Sequence, residues 1–520
     1  MEKIRKLIHP LLLSLYPVLM LLYINIEDVA ISTSLRSLVA SVLLTSILLA
    51  LYIFIFRDYS KAGIAASVSV VLFFSYGHLY DSLKEWGLSG TYLVRHRFLL
   101  PTFSVLFIIC LLLIKLSKQM DLWVRFANIV ATVALILVLG QIGHTLIIRT
   151  STSTVEESPE ECLLQTSPQQ DLPDIYFIVM DAYERSDILL EMHGFDNQPF
   201  IQSLEVLGFQ IPTDSISNYR FTVLSMASML NMDYVQAFPD RYDPESQNRW
   251  GIATMIEDNR VRRELECIGY STATISSGVY WTDWPSADYY YSLDGDPFHA
   301  KGLLNRISRF EALFLETTGI RFFLDGFRQM GLNSMPEGMG LNEVHRARIE
   351  FQLNTLPDLT GLTSPKLIYA HILAPHPPFV FGKDTSLQVS ENFEEQFAAD
   401  SKELRLLEDY AIQIEFLNGQ ILGIVEEILK RSEEPPVIII TADHGWADRT
   451  PADKLAIFQA YYFPESSRPD IYPSISAVNA FRITFDTIFG TQLGLLPDIG
   501  YYSTLEDIWD FEIVRAKETP

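Results

Sequence analysis

Residues 437–445 read Val-Ile-Ile-Ile-Thr-Ala-Asp-His-Gly. The run Val437–Thr441 is too short for a helix and shows no alternation of polar and apolar side chains. It therefore reads as a strand buried on both faces, as in a parallel sheet. Similar short apolar runs recur upstream at Ile175–Met180, Gly208–Ile211, Ser271–Ile275 and Lys366–Ala370. Amphipathic stretches predict helices between them, at Asn197–Leu207, Val223–Leu230, Asn259–Cys267 and the long Lys402–Lys430. Strands alternating with helices predict a doubly wound α/β sandwich with a largely parallel central sheet.

Open parallel sheets bind ligands beyond the carboxyl ends of their strands, so the residues that follow each run matter most. Asp181 follows Ile175–Met180, and Asp443, His444 and Gly445 close the quoted stretch. His371 follows Lys366–Ala370, with His376 a few residues on in Pro375-His376-Pro377-Pro378-Phe379. An aspartate at a strand end also serves as a turn or helix cap, and His376 also fits a plain surface loop. Two carboxylates and three imidazoles at one sheet edge favour a divalent metal site, for zinc, manganese or magnesium. Thr222, just ahead of a helix of small and apolar residues, is the nucleophile candidate. A threonine there also caps the helix, and the two roles are compatible. The positive potential of a helix N-terminus favours an alkoxide and an incoming phosphoryl oxygen.

The 520 residues carry 39 Lys and Arg against 64 Asp and Glu, a net charge of −25, but unevenly. Residues 1–150 hold 13 basic and 7 acidic side chains, leaving 26 and 57 to the remainder. So acidic a remainder argues against a nucleic-acid partner. The basic third contains five apolar stretches, Leu7–Ile24, Leu38–Phe56, Gly63–Tyr80, Phe98–Leu116 and Val124–Ile148. Each is about the length a helix needs to cross ~30 Å of hydrocarbon, which predicts a five-helix transmembrane bundle. Alternate loops carry 8 and 4 basic residues, so the N-terminus is expected in the cytoplasm and everything after Arg149 outside it. The Arg95/Arg97 pair runs against that rule. Domain boundaries follow: 1–149 membrane anchor, 150–172 a linker rich in Ser, Thr, Pro and Glu, and 173–520 an extracytoplasmic catalytic domain. Outside the cytoplasm Cys162 and Cys267 are free to pair or to remain two thiols.

Several stretches together carry a resemblance: 173–183 (PDIYFIVMDAY), 217–232 (SNYRFTVLSMASMLNM), 374–379 (APHPPF), 437–445, 460–464 (AYYFP) and 472–482 (YPSISAVNAFR). Over roughly 173–505 the chain resembles the alkaline phosphatase superfamily. The similar branch is that of membrane-anchored sulfatase-like enzymes, which includes lipoteichoic acid synthases and phosphoethanolamine transferases. The resemblance implies an alkaline-phosphatase-like sandwich with Asp181, Thr222, Asp443 and His444 as the first metal site. It further implies attack by Thr222 on a phosphate ester of an envelope lipid or lipid-linked glycan, through a phospho-threonine. By position His376, and less directly His371, would bind a second metal or the substrate, and Arg220 would clamp a phosphate.

Two departures narrow this. Thr222-Val223-Leu224-Ser225-Met226 lacks the Cys/Ser, Pro/Ala and Arg pattern that sulfatases oxidise to formylglycine, and Ala182 stands where they commonly place a second carboxylate. Sulfate-ester hydrolysis is the alternative activity. A catalytically silent scaffold of envelope assembly is the alternative of another class.

Overall fold

The computed structural model describes residues 2–515 except 27–28, 30, 85, 87–90, 154–161, 165–171, 239–240, 242–249, 280, 294–307, 330–340, 383–399, 447–448 and 505–506. The chain forms two compact units, Met1–Ile148 with Pro297–Val344, and Arg149–Asp296 with His345–Pro520.

In the larger unit six strands form one sheet: β1 (Ile175–Met180), β2 (Ser271–Ile275), β3 (Tyr289–Tyr291), β4 (Lys366–Ile372), β5 (Val437–Thr441) and β6 (Gln459–Tyr462). Their spatial order is β3-β2-β4-β1-β5-β6, parallel throughout except for the antiparallel β6. β1, β4 and β5 are buried along their whole length, which is why they are apolar without alternation. Val179 of β1 lies opposite both His371 of β4 and Thr441 of β5. Continued two residues, the β1–β5 register brings Asp181 level with Asp443.

Helices Thr222–Asn231 and Asp400–Arg431 cover this sheet's surroundings, close to their expected bounds. The second buries Tyr410, Ile414, Leu417, Ile421, Val425 and Ile428, a three- and four-residue spacing that lines one face. The run Gly208–Ile211 forms no strand. Among the described residues it makes one isolated antiparallel bridge, between Gln210 and Tyr461, since the chain leaves a turn at Gly208 (φ 100°) and merely crosses the edge of β6. Cys162 and Cys267 are joined in a disulfide, resolving the open alternative and tying part of the linker to helix Arg260–Cys267. Glu264 on that helix accepts from the Leu163 and Leu164 amides at 2.7 and 3.1 Å.

Among the described residues of the smaller unit, four helices are long and apolar enough to cross a membrane, within Ile31–Phe56, Tyr59–Leu83, His96–Leu116 and Met120–Ile147; Ile8–Ile24 is a shorter apolar helix. Pro297–Val344, a stretch from between β3 and β4, belongs to this unit. No sequence feature had set it apart from the catalytic domain. Its helices Arg309–Glu316 and Arg321–Gln329 meet one end of the bundle. Arg321 pairs with Asp81 at 2.6 Å and lies 4.5 Å over the Tyr80 ring, His96 meets Asp325 at 2.8 Å, and Arg36 pairs with Glu311. Gly77 donates to the Thr317 carbonyl, and a Cβ there would lie 2.2 Å from the Glu316 oxygen, so only glycine permits this approach.

Candidate active site

β1 and β5 deliver the carboxylates. Asp181 leaves β1 with its amide bonded to the Ile372 carbonyl at 2.9 Å, which fixes where the side chain starts. The next residue, Ala182, has φ 62°, and its N–H donates to Asp443 Oδ1 at 3.0 Å. The His444 amide also donates to that oxygen, at 2.9 Å. Asp443 is therefore oriented by backbone donors on one oxygen, leaving Oδ2 turned to other business.

His444 is fixed through its other nitrogen. Nδ1–H donates to the Gly445 carbonyl at 2.9 Å, an assignment that leaves Nε2 with its lone pair free. Gly445 sits close under the carbonyls of Asp453, Lys454 and Ala456, where a Cβ would lie 3.0–3.1 Å from three oxygens. His444 Nε2 lies 3.2 Å from Thr222 Oγ1, 3.5 Å from Asp443 Oδ2 and 3.8 Å from Asp181 Oδ1. Thr222 is the first residue of its helix, and the remainder of that helix is buried, so the hydroxyl is held at the N-terminus on a rigid element.

The donor set tests well for a metal. Asp181, Asp443 and His444 bring ligand atoms within 4.8 Å of one another. Asp181 Oδ1 and Asp443 Oδ2 are buried and accept no hydrogen bond among the described residues. Two buried carboxylates this close repel, and each orphaned oxygen has lost its water; a dication offsets both costs. Two carboxylates, one imidazole and a hydroxyl suit zinc, manganese or magnesium.

Electrostatics agree with these roles. Burial works against ionisation of Asp181, but the imidazoles of His376 and His371 outweigh it and hold the carboxyl well below the usual range. Burial lowers the pKa of His444, keeping it neutral and able to offer Nε2 to a cation. Burial also opposes charge on His371, where Asp181 outweighs it and raises the imidazole.

The remaining candidates divide. His376 reaches the site: its amide donates to the Asp181 carbonyl at 3.1 Å, and its half-buried ring lies 6.2 Å from that of His444. His371 is fully buried and approaches Asp181 Oδ2 at 3.5 Å, so it backs the carboxylate. Arg220 donates to the Ser503 carbonyl at 3.0 Å and packs over Phe221 and Tyr502. The reading of strand ends passed over Tyr410 and Trp446, which lie in a helix and a loop without a local signal.

No family model matches this chain, and no curated protein matches it. Among solved structures, it is similar to the C-terminal periplasmic domain of EptC from Escherichia coli in complex with Zn, at 9% identity and TM-score 0.43, covering 66% of this chain and 93% of that one. A second is the integral membrane lipooligosaccharide phosphoethanolamine transferase A (EptA) from Neisseria meningitidis, at 12% identity and TM-score 0.39, covering 92% and 95%. A third is the lipoteichoic acid synthase LtaP from Listeria monocytogenes, at 11% and 0.37, covering 70% and 81%.

Proposed function

We propose that the chain is a membrane-anchored, divalent-metal-dependent phosphotransferase or phosphodiesterase acting outside the cytoplasm on phosphate esters of envelope lipids or lipid-linked glycans. One observation carries it: Thr222 Oγ1 lies 3.2 Å from His444 Nε2, in a cluster where Asp181 Oδ1 and Asp443 Oδ2 are buried and accept no hydrogen bond among the described residues. Asp181, Asp443, His444 and Thr222 would hold the ion. When bound, it would supply a Lewis acid that lowers the hydroxyl pKa and neutralises phosphoryl oxygen charge.

Thr222 Oγ attacks phosphorus, forming a threonine phosphoester as the bond to the donor alcohol breaks. The proton that Thr222 gives up passes to the departing alkoxide oxygen, with His376, whose ring lies 6.2 Å from that of His444, as the imidazole that would relay it. An acceptor hydroxyl, or water, then attacks the same phosphorus, and its proton passes to Thr222 Oγ as the threonine–phosphorus bond breaks. The helix N-terminus at Thr222 supplies fixed positive potential to the phosphoryl oxygens throughout.

The membrane reading has its own support. Four apolar helices are long enough to span, and with Ile8–Ile24 as a fifth crossing the charge bias puts Arg149 onward outside. The Cys162–Cys267 disulfide fits an oxidising compartment. We assign 1–149 to the anchor, 150–172 to the linker and 173–520 to the catalytic domain, with 297–344 returning to the anchor.

Incubating the purified full chain with membrane lipid extract and measuring its intact mass tests the mechanism. A mass adduct on Thr222 is expected, and it identifies the transferred group. Turnover of phosphodiesters by a Thr222→Ala variant at the wild-type rate sinks the proposal. Faster turnover of aryl sulfate than aryl phosphate favours the sulfatase alternative.

A further inference from the structure

We propose that Tyr410 is a positioning residue for the metal centre, locking together the three strand-end loops that carry its ligands and its neighbouring imidazole. The inference rests on the metal reading of the site. Tyr410 belongs to helix Asp400–Arg431, which contributes no ligand, and its side chain is fully buried. Its hydroxyl serves the turn after Asp181, donating to the Ala182 carbonyl at 2.8 Å and accepting from the Glu184 amide at 3.1 Å.

That turn needs holding. Ala182 sits in the left-handed region, which residues with a Cβ adopt only when the surroundings enforce it. The enforced conformation carries the Ala182 N–H to Asp443 Oδ1 at 3.0 Å. With Oδ1 occupied by two backbone donors, Oδ2 is the oxygen left for the cluster. The Tyr410 hydroxyl thus acts on a ligand of β5 through a turn of β1.

The ring makes the other two connections. It stacks on Trp446, two residues past His444, with centroids 5.0 Å apart and planes at 19°. It also meets Phe379, three residues past His376, at 6.0 Å, and Phe379 and Trp446 touch each other at 5.8 Å. Aromatic pairs of this kind have narrow geometric preferences, so three mutually packed rings hold three loops in register. Groups behind a metal's ligands commonly change its affinity 10- to 100-fold when removed, because they set ligand orientation.

The test is calorimetric titration of Mn2+ into the detergent-solubilised full chain. Tyr410→Phe, which keeps the ring, is expected to weaken binding about 10-fold or more. Trp446→Leu, at a half-buried position, is expected to weaken it several-fold. Tyr270→Phe is the control: its buried hydroxyl bonds the Pro173 carbonyl at 2.7 Å, at the opposite end of β1, and its affinity should stay within about two-fold of wild type. A folded Tyr410→Phe protein binding Mn2+ within two-fold of wild type overturns the proposal. Should that variant not fold, unchanged affinity in Trp446→Leu overturns it equally. A wild-type chain that takes up no Mn2+ removes the metal reading itself, and this inference with it.

Discussion

Thr222 Oγ1 and His444 Nε2 stand 3.2 Å apart although 222 residues separate them in the chain. Each is oriented from behind, Thr222 by a buried helix and His444 by its own Nδ1–H bond to Gly445. The contact joins a nucleophile candidate to a group that offers a lone pair to a cation.

If Thr222 forms the covalent bond, Thr222→Ala loses turnover about 1,000-fold or more while the fold persists, since the side chain is only half-buried. Thr222→Ser keeps a hydroxyl at the same helix terminus and should retain measurable activity. Initial rates on a phosphodiester, with thermal melts of both variants, check this.

Asp443→Asn leaves the backbone bonds to Oδ1 possible but removes the charge. Divalent metal content of the purified variant, read by atomic spectroscopy, should fall well below that of wild type. Chelation should abolish wild-type turnover and lower its melting temperature, both restored by added metal, because a ligand held only by the native state stabilises it.

The Asp181–His371 pair makes the metal-free protein's stability depend on pH. His371 is raised in the fold, so its contribution is complete below the ordinary imidazole value of 6.5 and is lost as pH rises through the raised value. Asp181 is depressed, so its contribution is present above the ordinary aspartate value of 3.8 and is lost only as pH falls through the lower folded value. The stability gap between wild type and His371→Asn, measured with chelator present, should be widest between those two pH values and should narrow on going alkaline. A gap that widens toward alkaline pH contradicts this assignment.

Arg321 is 4% exposed and answers two carboxylates, Asp81 and Asp325, with Tyr80 against its face. Arg321→Ala removes the cation that both carboxylates share and should destabilise this unit by about 1.5–3 kcal/mol. Arg321→Lys keeps the charge but not the planar fork, and should recover only part of the loss. Thermal unfolding in detergent gives the ranking.

Much of the candidate site was legible in the sequence because its signals are local. Asp181, Asp443 and His444 each directly follow an apolar run, and a strand end is where a parallel sheet exposes chemistry. Thr222 was legible as the residue heading a helix of small side chains. Gly208–Ile211 was misread as a strand because a short apolar run carries no information about whether a neighbour will pair along its length. Tyr410 gave no signal, since one aromatic on the buried face of an amphipathic helix looks like any other core residue.

The sequence by itself determined the two kinds of material, apolar spans and short buried strands, and the ligand types at the strand ends. These follow from side-chain periodicity and hydropathy, which each segment carries independently of the others. Only the tertiary structure decided that 297–344 packs with the membrane helices, that Cys162 meets Cys267, and that His376 joins the site while His371 stands behind Asp181. The physical reason is that these are choices of partner. An arginine, a cysteine or an imidazole has the same local chemistry wherever it lies, and what it meets is set by strand order, register and packing across hundreds of residues.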